Sequence, residues 1–138
     1  MKHATRTLAI FTALSALPAM AATKLFESFE GDGFGSWEEK GTAFGKAPIP
    51  GITKGLTAEL TSYSGESLAC SAHEGDTATG SLTSAEFTIE EPYIVFLLAG
   101  GNLPGKTCVQ LVVDGKVEKE ATGKNSLRCE SVTWDVSA

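Results

Sequence analysis

The stretch GSLTSAEFTIEEPYIVFLLAGGNLPGKTCVQLVVDG, residues 80–115, decides the fold. It reads as sheet strands separated by glycine and proline turns. Phe87, Thr88 and Ile89 end one short run, and Glu90, Glu91 and Pro92 interrupt it. Tyr93 to Leu98 is then a run of β-branched, aromatic and aliphatic side chains, the composition of a strand. A buried helix would need a longer apolar pattern than the space between Pro92 and Gly100-Gly101 allows. Because the run is apolar at consecutive positions, it is expected to be a central strand covered on both faces.

Working outward, Asp114-Gly115 is the clearest hairpin signal. A two-residue loop would set Leu111 and Val109 against Glu118 and Glu120. A three-residue loop, with Gly115 left-handed, would pair Leu111 with Val117 and collect Val109, Leu111, Val117 and Ala121 on one face. The second register segregates the apolar side chains better and is the expected one. A last strand, Leu127 to Val136, follows the Gly123-Lys124-Asn125 turn.

Towards the N-terminus, Leu25 to Glu30 alternates loosely, and the Gly31-Asp32-Gly33 turn leads into a strand candidate at Glu38 to Phe44. Gly45 to Gly55, with Pro48 and Pro50, reads as a surface loop. Glu59 to Tyr63 and Ser67 to Ala72 are two further short strand candidates. Short strands between regular turn signals, without a useful amphipathic helix, indicate an all-β antiparallel β-sandwich.

The first 21 residues stand apart. Lys2 and Arg6 precede an apolar run from Leu8 to Leu17, and Ala19, Met20 and Ala21 form a small-residue cleavage site. Residues 1–21 are therefore expected to be a signal peptide, and residues 22–138 a single domain of a secreted protein, extracellular or periplasmic. With Lys2 and Arg6 removed, nine basic side chains face 17 acidic ones, a net charge of −8. That sign repels nucleic acid and anionic membrane surfaces, so neither is an expected partner.

Cys70, Cys108 and Cys129 allow one disulfide and one free thiol, with three pairings open. Their spacings of 38 and 21 residues contain no C-x-x-C, and His73 is the one histidine after the leader, so a zinc site is not expected. They read first as small core residues. No cofactor is expected. A structural calcium would find oxygen donors in Glu30 and Asp32, although solvated turn carboxylates are the commoner role for such residues.

Catalytic constellations are thin. No G-x-S-x-G elbow accompanies a serine, and no carboxylate pair among the 17 acidic residues is privileged by spacing. The loop His73-Glu74-Gly75-Asp76-Thr77-Ala78-Thr79 is more informative, because it gathers an imidazole, two carboxylates and two hydroxyls able to hydrogen-bond sugar hydroxyls. His73, Glu74 and Asp76 are the candidate contacts, and Trp37 is a candidate stacking platform. Asp76 equally suits an Asx-type turn, the commoner role for aspartate in such a loop. Trp37 and Trp134 equally suit core or rim packing.

These residues also carry a resemblance. FESFEGDGFGSW (Phe26 to Trp37), GTAFGKAP (Gly41 to Pro48), HEGDTATGSLTSAEFTI (His73 to Ile89), PYIVFLLAGGN (Pro92 to Asn102), TCVQLVVDGKV (Thr107 to Val117) and TWDVS (Thr133 to Ser137) lie in one order. Together they resemble the non-catalytic β-sandwich module that accompanies glycoside hydrolase family 32 enzymes, the levanases and β-fructosidases. The resemblance implies a jelly-roll-like, carbohydrate-binding or accessory module with a fructan polysaccharide or oligosaccharide as ligand. It also implies a glycoside hydrolase catalytic domain as its partner. The W-M-N-D-P-N-G, R-D-P and E-C catalytic motifs of that family are absent from these residues, so the module itself is not expected to be an enzyme. Leu103 stands where the family-like segment usually has histidine. The module usually continues past W-D-V-S through further strands, so an unpaired edge and exposed apolar surface are expected here. A structural spacer without a ligand would differ from this reading only in binding.

Overall fold

The computed structural model describes residues 23–51 and 60–137, so the signal peptide expected at residues 1–21 lies outside the described residues. Eight strands run in chain order: β1 (Glu38–Gly41), β2 (Ile49–Pro50), β3 (Ser67–Leu68), β4 (Gly80–Thr83), β5 (Tyr93–Gly100), β6 (Val109–Val113), β7 (Lys116–Ala121) and β8 (Ser126–Asp135). They pair antiparallel in four two-stranded sheets, β1 with β4, β2 with β3, β5 with β8 and β6 with β7. The chain is all-β and sandwich-like, with no helix among the described residues. In each set of four, the first strand pairs with the fourth and the second with the third.

The β5–β8 ribbon is the longest, and side-chain alternation gives it two unlike faces. Ile94, Phe96 and Leu98 are half-buried opposite Trp134, Val132 and Glu130, and the Phe96 and Trp134 rings meet edge to face at 4.8 Å. On the other face Tyr93 and Val95 are 55% and 62% exposed, opposite Asp135 and Thr133. The expectation of a central strand covered on both faces is therefore corrected. Consecutive apolar residues signal β propensity, but coverage depends on which distant segments stack on each face. Among the described residues, nothing covers this one.

The hairpin register is also corrected. Asp114 and Gly115 have φ of 49° and 76°, the left-handed pair of a two-residue turn, and Val113 lies opposite Lys116. A bulge between Leu111 and Val112 then shifts the ladder by one, so Leu111 faces Lys119 and Val109 faces Ala121. The bulge recovers part of the apolar segregation that a longer turn would have given. Gln110 Nε2 donates to Glu120 Oε2 across the pair at 2.7 Å, and Leu111 is buried.

Other strand candidates shrink. Leu25–Glu30 and Phe87–Ile89 run alongside each other without a ladder: Lys24 pairs with Glu90 at 2.8 Å, and the Phe26 and Phe87 rings lie 4.5 Å apart. Thr61 makes a single parallel bridge to Arg128, and Ser67–Ala72 contributes only the two residues of β3. Within the proline-rich span Gly45 to Gly55, Ile49–Pro50 pairs with β3 where loop was expected, and residues 52–55 of that span lie outside the described residues. The buried apolar side chains among the described residues are Phe34, Ala43 and Leu111.

Candidate functional site

The loop between β3 and β4 is held at both ends by main-chain bonds. His73 N donates to Ala43 O at 2.9 Å, and Thr42 N donates to Thr79 O at 2.9 Å, just before the Gly41–Gly80 end of the β1–β4 ladder. Between these clamps two turns follow in succession, closed by Gly75 N to Ala72 O and by Ala78 N to Gly75 O, both 3.1 Å. Gly75 takes φ +91°, which frees the chain to reverse between them.

This arrangement bears on the Asx-turn reading of Asp76. In an Asx turn its carboxylate would accept from the amide two residues on, that of Ala78. That amide is already given to Gly75 O, and among the described residues the Asp76 carboxylate has no hydrogen-bond partner. Asp76 and Glu74 are exposed at the tip of the clamped loop, and their acceptor capacity faces solvent. His73 is also exposed, but its ring rests on Gly45, where a Cβ would lie 2.7 Å from Nδ1.

Trp37 sits elsewhere, in an aromatic cluster. Its ring lies 5.4 Å from Phe29 and 6.2 Å from Phe26, and its Nε1 donates to Glu27 Oε2 at 3.1 Å. Glu27 also accepts from the Phe29 and Ser28 amides through Oε1. The Phe29 amide first, with the Trp37 indole and the Ser28 amide adding to it, holds the Glu27 carboxyl below its ordinary value. A row of rings, Trp37 to Phe29 to Phe34 to Phe44, runs from this cluster towards Gly45. Thus His73, Glu74 and Asp76 come together on one loop, while the Phe29 and Phe34 rings stand between Trp37 and Phe44, the chain neighbour of Gly45.

Sequence reasoning missed Phe26 and Phe87, which are 57% and 44% exposed and whose tilted rings form an aromatic surface beside Trp37. The Lys24–Glu90 pair that brackets their contact is the only trace in the sequence, and opposite charges 66 residues apart are not a readable signal. Of the calcium candidates, Glu30 is engaged: its Oε1 accepts from the Glu66 and Ser67 amides at 2.9 and 3.2 Å, tying the first turn to β3. No group of three or more His, Cys, Asp or Glu among the described residues is placed to hold a metal. The three cysteines are free thiols, half-buried, and burial raises Cys108 and Cys129 above the ordinary thiol value.

Over 117 residues, 83% of the chain, the sequence is 37% identical to an Aspergillus rugulosus protein named "Putative glycosyl hydrolase ecdE". The chain is related to a glycosyl hydrolase. The matched stretch spans 16% of that relative's length, and its name specifies neither a family number nor a sugar. No protein-family model matches the chain. No solved structure matches it either.

Proposed function

We propose that the chain is a secreted, non-catalytic carbohydrate-binding module that accompanies a glycoside hydrolase of the family 32 type, with fructan as its ligand. The carrying observation is the clamped loop, which offers the Glu74 and Asp76 carboxylates and the His73 imidazole to solvent while main-chain bonds alone hold its shape. Such a preorganised acceptor set suits vicinal sugar hydroxyls, which donate to carboxylates without the loop having to be ordered on binding. The aromatic surface of Phe26, Phe87 and Trp37 supplies apolar area for a second stretch of the polymer. The relative named as a putative glycosyl hydrolase supports the link to glycoside hydrolases, and the accessory role and the fructan come from the resemblance to the family 32 module.

Affinity electrophoresis of the purified chain in gels containing levan, inulin or an unrelated glucan tests the reading. Retardation in a fructan gel and free migration in the glucan gel is the expected result; equal mobility in all three would leave a spacer without a ligand. Asp76→Ala removes a charged acceptor and should weaken fructan binding about tenfold or more with the melting temperature unchanged. Incubation with sucrose and levan should release no fructose above a heat-treated control.

A further inference from the structure

A hollow lies at one end of the β5–β8 ribbon, where the ladder breaks. The register runs regularly from Tyr93↔Asp135 to Leu98↔Glu130 and then jumps to Gly100↔Ser126. Three residues of β8, Leu127 to Cys129, therefore stand opposite the single residue Ala99, and the surplus bows the strand. Thr61 pins the bow from outside: its amide donates to Leu127 O at 3.0 Å, and the Cys129 amide donates to Thr61 O at 2.8 Å. Arg128 sits between those two bonds, so its backbone is held on both sides. On the inner side Gly123 packs so closely on Gly100 that a Cβ would come within 2.3 Å of Gly100 O. Beside these features lies a hollow of about 180 Å³ lined by Leu98, Gly123 and Val132 together with Lys124, Arg128 and Glu130.

The charge of this hollow is opposite to that of the chain around it. Arg128 is the one arginine outside the leader of an acidic protein, and Lys124 accompanies it. Their shared neighbour is a carboxylate: Lys124 Nζ and Glu130 Oε2 lie 2.5 Å apart. Hydrogen bonding to Lys124, then the Lys124 charge, and also the Arg128 charge lower the Glu130 pKa, so the site already holds one carboxylate in its ionised form. Pockets for drug-sized ligands run to about 300 Å³ and above, so this one has room for a single small ring.

We propose that the hollow binds the carboxylate of an acidic sugar, a uronate residue, with Lys124 and Arg128 as its cationic contacts and Glu130 as the internal carboxylate that the ligand displaces. The inference draws on the carbohydrate reading only for the sugar ring; the anion site stands on its own geometry. Arginine suits the role because its planar fork can take both carboxylate oxygens, while lysine adds a mobile point charge.

Isothermal titration of the chain with methyl glucuronide, methyl glucoside and acetate tests it. The glucuronide is expected to bind, with the glucoside and acetate each at least about tenfold weaker. Arg128→Gln should cost about tenfold in glucuronide affinity, and Lys124→Gln should weaken it too. Glu130→Gln is the diagnostic variant. Removing the internal competitor should tighten glucuronide binding about threefold, in keeping with the modest strength of an exposed ion pair. Failure of the glucuronide to bind, or weaker binding by a normally melting Glu130→Gln variant, would overturn the proposal, and acetate binding as tightly as the glucuronide would overturn its sugar part. Arg128→Gln should leave retardation in fructan gels unchanged, so this site and the Asp76 loop can fail separately.

Discussion

Gly45→Ala tests how the His73 loop is seated. Gly45 has φ +69°, a conformation that costs an alanine about 1 to 2 kcal/mol. A Cβ built there would also lie 2.7, 2.8 and 2.9 Å from Nδ1, Cγ and Cε1 of His73. Carbon atoms pack favourably only at about 3.5 to 4.0 Å, so the overlap is real, and because all three atoms belong to one ring the imidazole must turn away as a unit. The loop itself need not follow, since its ends are fixed by main-chain bonds from His73 and to Thr79. The backbone share of the cost alone should lower the melting temperature by on the order of 5 °C in a domain of this size. Fructan affinity should fall about tenfold if the imidazole is a contact in its present position. Calorimetry on Gly45→Ala, His73→Ala and the double variant separates the two costs. Removing the ring relieves the overlap but not the φ penalty, so the double variant should melt above the sum of the single losses and still below His73→Ala. A Gly45→Ala chain that melts within about 1 °C of the parent would refute both the left-handed backbone and the ring contact.

Three further outcomes follow from the anchors around the site. Glu27 is held below its ordinary value of 4.5 in the folded chain, so its contribution is fully present above that value and is lost as pH falls through the lower folded one. Melting profiles of the parent and Glu27→Gln should therefore differ at pH 6 and converge as the pH falls progressively below 4.5, with Trp37 fluorescence following the same course. Glu30→Ala leaves the Glu66 and Ser67 amides without their shared acceptor, and should lower the melting temperature by a few degrees, about the effect of 1 kcal/mol. Cys129 and Cys108 should alkylate slowly with iodoacetamide at pH 7 and faster above pH 9, because burial disfavours both thiolates; rapid labelling at pH 7 would contradict their half-buried positions.

The all-β class was readable because it rests on local signals: the Tyr93–Leu98 run, the Asp114-Gly115 turn, and glycine and proline at regular intervals. What stacks on what was not readable. Val95 and Phe96 look alike as sequence, yet one is exposed and the other lies against Trp134, a difference made by partners 36 residues or more away. The hairpin failed for a related reason. Side-chain alternation was used to choose a turn length, whereas the chain kept the turn favoured by Asp-Gly and corrected the faces with a bulge. At the candidate site, His73, Glu74 and Asp76 are neighbours in sequence, and one loop carries all three. Phe26 and Phe87 meet only through the fold, and the basic hollow depends on a register jump that no residue type announces.

The site's local polar cluster and its long-range frame have different physical roles. The clamps on the 72–79 loop are bonds between main-chain atoms of Ala43, His73, Thr42 and Thr79, and its turns are closed by main-chain atoms as well. Side-chain replacements at Glu74, Asp76 or Thr77 therefore leave every bond that shapes the loop in place, whereas a change at Gly75 acts on the backbone that the shape depends on. A loop built this way can vary its recognition chemistry without refolding. That separation lets the Asp76→Ala experiment report on binding, and it ties any loss of stability in that variant to a backbone role for the carboxylate, which the Ala78-to-Gly75 bond has already taken over.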